Sequence, residues 1–85
     1  MLTLKDCFDF SDLNEDEICA IAECEHIPII SALEEGENLV HSVHGRQRIA
    51  NMLLQRAKEC DLRGMDVHAT QLRCIHQAFI NRFAP

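Results

Sequence analysis

The stretch 42-SVHGRQRIANMLLQRAKECDLRG-64 decides how the rest of the chain is read. Its apolar residues Ile49, Met52, Leu53, Ala57 and Cys60 are spaced by three and four, which puts them on one face of a helix. Ser42 is suited to the N-cap, because its hydroxyl accepts from a free N–H of the first turn. Gly64 is suited to the residue after the end, where a left-handed backbone costs glycine nothing. A long amphipathic helix of this kind needs partners for its apolar face, and the segments on both sides supply shorter helical patterns. The expected fold is therefore all-α, a compact bundle of four to five helices ending in a long antiparallel helical hairpin.

The whole chain supports that class. Eighty-five residues make a single domain, 1–85, with one modest core. Hydrophobic content of 47% is too high for a disordered chain. Three Gly, two Pro, four Phe and no Trp or Tyr mean few turns and little of the material that sheets use.

Downstream of the central stretch, the short turn Arg63–Asp66 carries the chain into the last helix, Val67 to about Phe83, with Asp66 as its cap. Its core stripe is Ala69, Leu72, Ile75, Phe79 and Phe83. On the exposed side of the central helix, Glu59 and Arg63 are spaced for an i,i+4 pair. Upstream, Pro28 at the first helical position begins a helix that the four-three period of Ile29, Leu33, Gly36, Val40 and Val43 carries through Gly36 to about His41. Gly36 costs roughly 1 kcal/mol against alanine there, and allows another helix to come close. Before it, Asn14 and Glu17 form a capping box, with Leu13 and Ile18 as a hydrophobic staple. Pro28 ends that helix near His26, because it disfavours helical geometry at Ile27. Thr3 to Phe10 reads as one more short helix.

Charge is divided along the chain. Residues 1–42 carry Lys5 against eleven acids, a balance of −10, while residues 43–85 carry seven Lys and Arg against three acids, +4. The halves attract each other and leave surfaces of opposite sign for partners. No apolar run approaches the roughly 18 residues of a membrane span. The N-terminus lacks the basic region and long apolar stretch of a signal peptide. Five cysteines, an odd number with no framework spacing, read as reduced thiols used mainly as small hydrophobes. A cytoplasmic protein is expected, with no membrane partner.

Four constellations bear on function. Cys24, His26, His41 and His44 offer a Cys/His set of ligand type, although no C-x-x-C or H-E-x-x-H announces zinc. Glu23 and His26 have the i,i+3 spacing of di-iron bundles, but a single pair does not make such a site. Cys74 and His76, two apart on a helix, do not face each other, and whether Cys60 meets His68 or His76 across the hairpin is a geometry that the sequence does not give. Arg46, Arg48, Arg56, Lys58 and Arg63 make a basic helix without aromatic platforms for bases, so nucleic acid is not the expected partner. Phe8, Phe10, Phe79, Ile80 and Phe83 are apolar side chains near the ends of the bundle, either core or a surface for a protein partner or a homodimer.

The opening LTLKDCFDFSDLNEDEICAIAECEHIP resembles that of a group of small uncharacterised bacterial helical proteins. The resemblance implies a bacterial, cytoplasmic, helical protein and carries no catalytic motif. With no assembled catalytic set and no cofactor expected, the leading expectation is a non-enzymatic protein-interaction or regulatory module. The alternatives are a metal-binding or redox protein using the Cys/His cluster, and a regulator that contacts nucleic acid through the basic C-terminal half.

Overall fold

The computed structural model of the chain describes residues 13–83. Four helices fill them: α1 (Glu15–Glu25), α2 (Ile29–Val40), α3 (Val43–Leu62) and α4 (Asp66–Phe83). The helix expected over residues 3–10 lies outside the described residues, as do Phe8 and Phe10.

Each helix boundary has a local cause. At the start of α1 the Asn14 side chain accepts from the Glu17 N–H at 2.9 Å, and Glu17 Oε1 accepts from the Asn14 N–H at 3.0 Å. Two of the helix's free donors are thus satisfied reciprocally. Glu15, Asp16 and Glu17 put negative charge at the positive end of the dipole. The helix ends at His26, whose φ of 56° is the left-handed region, and the Ile27 N–H returns to the Ala22 carbonyl at 3.1 Å. Pro28 is extended and stands one residue before α2, so it is the N-cap rather than the first helical residue.

The second helix runs unbroken through Gly36, which is buried. A Cβ at that position would lie 2.5 Å from Leu13 Cδ1 and 3.3 Å from Ile21 Cδ1, so the glycine lets α1 and Leu13, two residues ahead of it, pack close. Ser42 caps α3 by accepting from the Gly45 N–H at 2.9 Å. Gly45 itself is required by contact: a Cβ there would lie 2.0 Å from the Leu39 carbonyl oxygen, a backbone atom that cannot swing away. At the far end of α3 the Met65 N–H bonds the Cys60 carbonyl at 2.8 Å and the Gly64 N–H bonds the Asp61 carbonyl at 3.1 Å. With Gly64 at φ 75°, this is the Schellman arrangement. Asp66 is the first residue of α4 rather than its cap, and the Met65 carbonyl accepts the first helical bond from Ala69.

The most extensive packing is between α3 and α4, and α1 bridges both while α2 covers α1 and the start of α3. One buried cluster joins them: Leu13, Ile18 and Ile21 from the first segment, Ala32 and Val40 from α2, Ile49, Leu53, Ala57 and Cys60 from α3, Ala69, Leu72 and Phe79 from α4. The stripe read from the sequence of α3 is this inner face, with Met52 half-buried at its edge. Burying a side chain of this size contributes roughly 1.5–3 kcal/mol, which outweighs the weak propensities of residues such as Gly36. No helix among the described residues is long and apolar enough to cross a membrane.

The opposite charges of the two halves meet at specific places. Arg82 Nη2 of α4 reaches Glu17 Oε1 at 2.8 Å, and Glu23 of α1 is gripped from α3 and α4. Within the hairpin, Arg73 pairs with Asp61. The expected Glu59–Arg63 pair does not form: Glu59 is taken by Arg56 at 3.1 Å, and Arg63 caps the helix end. The cysteines also depart from expectation, since Cys60 alone of the described four is buried, Cys24 is half-buried, and Cys19 and Cys74 are exposed thiols.

Candidate functional site

Two regions of the hairpin have features that burial alone does not explain. They lie toward opposite ends of α3, with Ala50 and Cys60 separated by ten residues, or about 15 Å of helix.

The first is a polar junction of three helices. Glu23 projects from α1 near its C-terminus. Arg56 reaches it from α3, Nε to Oε2 at 2.8 Å, and His68 reaches it from the first turn of α4, Nε2 to Oε1 at 2.7 Å. Arg56 also donates to Glu59 at 3.1 Å, and His68 Nδ1 lies 3.4 Å from Gln71 Oε1. The junction is partly open to water: the side chains of Glu23 and His68 are 30% and 34% exposed. Partial burial alone pushes the Glu23 carboxyl up, but the hydrogen bonds from Arg56 and His68 together overcome it and leave the group below its ordinary value. The same bond to Glu23 pushes His68 up against the smaller opposing effect of burial. Beneath this pair lies the buried Cys60, and one ligand atom each of Glu23, Cys60 and His68 fall within 4.8 Å of one another. The half-buried Cys24 stands nearby on α1 with its Sγ 3.6 Å from the Met52 carbonyl, and burial pushes its thiol up to about 11. It is therefore a protonated thiol at neutral pH, of low nucleophilicity.

The second region is an apolar groove where α3 begins and α4 ends. Phe79 forms its floor, and Val43, Ala50, Ile80 and Phe83 form its walls, with Arg46 and Gln47 at the rim. Phe79 and Phe83 pack with ring centroids 4.9 Å apart, and the Arg82 guanidinium lies 4.6 Å above the Phe83 ring. Val43 is 59% exposed and Ile80 39%. The volume, about 160 Å³, is well below the 300–1,000 Å³ of drug-sized ligand pockets and suits apolar side chains of another protein.

The sequence candidates fall as follows. Among the described residues, Glu23, Cys60 and His68 are the group of three or more ligating side chains that come together; Cys24, His26, His41 and His44 do not. His26 is the left-handed residue at the end of α1, His41 is exposed and 4.0 Å from Glu37, and His44 lines a wide polar cleft of about 470 Å³ with Glu25 and Arg48. None of that cleft's lining side chains is fully buried. Of the apolar set, Phe79 is core, Phe83 is half-buried and Ile80 is exposed. The basic set is dispersed. Arg56 is occupied by carboxylates, Arg46 donates to the Val40 carbonyl at 2.9 Å, and Arg46 and Arg48 lie roughly 160° apart around α3.

The junction was largely hidden in the sequence. Glu23 is 33 residues from Arg56 and 45 from His68. The one pointer was the short α3–α4 turn, which brings Cys60 within range of His68. No family model matches the chain, and neither a curated protein nor a solved structure matches it significantly.

Proposed function

We propose that the protein is a small, non-enzymatic protein-interaction module that docks a partner protein in the groove between the start of α3 and the end of α4. The observation that carries this reading is the groove itself: a floor of buried Phe79 with Val43 and Ile80 left in water beside it. Exposed apolar side chains around a concave floor are the usual sign of a docking surface, since covering them removes apolar area from water. Arg46 and Gln47 on the rim favour a partner segment, such as an amphipathic helix, whose apolar side chains are flanked by acids. The cysteines fit a reducing, cytoplasmic setting, with free thiols at all four described positions. The nucleic-acid reading has less support, because Arg56 is already held by Glu23 and Glu59, and Arg46 and Arg48 lie on different sides of α3.

The test is affinity capture with the wild-type chain and with the double variant Val43→Asp/Ile80→Asp as baits, both checked for helicity. Both positions are exposed, so the fold should tolerate the change. A partner held by the wild type and lost by the variant supports the reading, and nuclease treatment should leave it in place. The same proteins captured by both baits would contradict it. A concentration-dependent dimer abolished by the two substitutions would make the occupant a second copy of the chain.

A further inference from the structure

We propose that Glu23, Cys60 and His68 form a three-ligand site for a thiophilic divalent metal ion of the zinc type, independent of the apolar groove. A carboxylate oxygen, an imidazole nitrogen and a thiol sulfur, one from each of three helices, converge with their ligand atoms within 4.8 Å of one another. Tetrahedral zinc has bonds of about 2.0–2.3 Å to such atoms, which sets its ligand atoms roughly 3.3–3.6 Å apart. Glu23 Oε1 and His68 Nε2, now 2.7 Å apart, need to separate slightly, and the sulfur needs to close in by about an ångström. Because Cys60 is buried, this adjustment falls to the Glu23 and His68 side chains, which are partly exposed. The mixed set of sulfur, nitrogen and oxygen favours zinc or cobalt and disfavours magnesium and calcium, which take oxygen ligands.

The surroundings have the form that a metal site needs. Metal-bound histidines are oriented by a hydrogen bond at the other ring nitrogen, and His68 Nδ1 faces Gln71 Oε1 at 3.4 Å. Glu23 uses Oε2 for Arg56 at 2.8 Å, which leaves Oε1 to coordinate while the carboxylate stays anchored. Without metal, Glu23 and Glu59 pair with Arg56, and His68 Nε2 faces the Glu23 carboxylate. On binding, the ion takes the lone pair of His68 Nε2, whose Nδ1–H then faces Gln71 Oε1, and it replaces the thiol proton of Cys60, which passes to solvent. Two carboxylates and one thiolate then face the dication and Arg56, so the charges of the loaded junction balance. A thiol nucleophile is the competing use of the same residues. It is disfavoured because Cys60 is 1% exposed and substrate has no access to its sulfur, whereas an ion can enter beside the two partly exposed ligands.

Cobalt(II) is the probe, titrated into the reduced chain with absorbance read in the near-ultraviolet and visible. One equivalent is expected to bind with a thiolate-to-cobalt charge-transfer band and the strong visible bands of tetrahedral cobalt, and zinc should displace it. Cys60→Ser should abolish the charge-transfer band. His68→Gln, at a partly exposed position where folding is safe, should weaken binding at least about tenfold, and Gln71→Leu should weaken it to a smaller degree, on the order of tenfold or less. Cys19→Ser/Cys74→Ser should leave spectrum and affinity unchanged. Absence of the band in the wild type at 100-fold excess of cobalt (with the chain at about 50 μM), or its persistence at full affinity in His68→Gln or Cys60→Ser, would overturn the proposal.

Discussion

Where α3 begins and α4 ends, Phe79 is buried beside Phe83, Val43 and Ala50 line the same groove, and the two helices face each other through apolar side chains, while Arg82 runs from α4 to Glu17 of α1. Where α3 ends and α4 begins, the same pair of helices is tied to α1 through Glu23, Arg56 and His68. Apolar burial has no preferred direction and responds little to salt or pH. The ionic junction is directional, half-wet, and depends on the charge state of each member. The core runs under both ends, through Phe79 at one and Cys60, Ala69 and Leu72 at the other; above it, one end carries an uncovered apolar surface and the other a polar geometry in which three helices must agree.

The largest expected effect separates the two ends by stability. Phe79→Ala removes the groove floor from the core and should cost about 3–5 kcal/mol, read by urea unfolding and nearly equal at low and high salt. A cost below 1 kcal/mol would mean that the groove end is not part of the core. Glu23→Gln at the junction should cost less, about 1–2 kcal/mol, because Arg56 keeps Glu59 while His68 loses its carboxylate. That cost should shrink in high salt, and a salt-independent loss would remove the contrast between the ends.

The pH dependence sharpens the contrast further. Glu23 is held below its ordinary 4.5, so its contribution is present above that value and is lost as pH falls through the lower folded-state value. His68 is held above its ordinary 6.5, so its contribution is complete below that value and is lost as pH rises through the higher folded-state value. The difference in Tm between wild type and Glu23→Gln, measured with chelator present, should therefore be greatest between pH 4.5 and 6.5 and fall away on both sides. The difference for Phe79→Ala should be flat over the same range. The smallest expected effect lies beside the junction, at the end of α1. His26→Gly relieves a left-handed residue at φ 56° and should raise stability by up to about 1 kcal/mol, and a loss would show that the imidazole has a contact worth more than the backbone strain.

What the sequence made legible was local. Asn14 with Glu17, Ser42 and Gly64 mark helix ends within a few residues of themselves, and their readings match the structure because capping involves only neighbouring backbone. The stripe Ile49–Leu53–Ala57–Cys60 is likewise set by helical period. The close approach of Gly45 to the Leu39 carbonyl was not legible, because it depends on how α2 meets α3. The Glu59–Arg63 spacing was favourable, but Arg56 stood three residues away and also faced Glu23, so the shared pair won. His41 and His44 share a helical spacing, yet the corner at Ser42 separates them into the end of α2 and the start of α3. Sites assembled from three helices, such as Glu23 with His68, depend on packing angles that no short stretch encodes.

Two apolar surfaces stand in water: the groove around Val43 and Ile80, and the turn between α3 and α4 with Leu62, Met65 and Val67. The most direct measurement places a photo-reactive diazirine side chain at position 43 in one chain and at position 67 in another, with crosslinking in cells of the native source. A discrete crosslinked protein is expected from position 43, absent from position 67 and lost when Ile80→Asp is added. The same product from position 67 alone, or from both positions equally, would contradict it and move the docking surface to the turn.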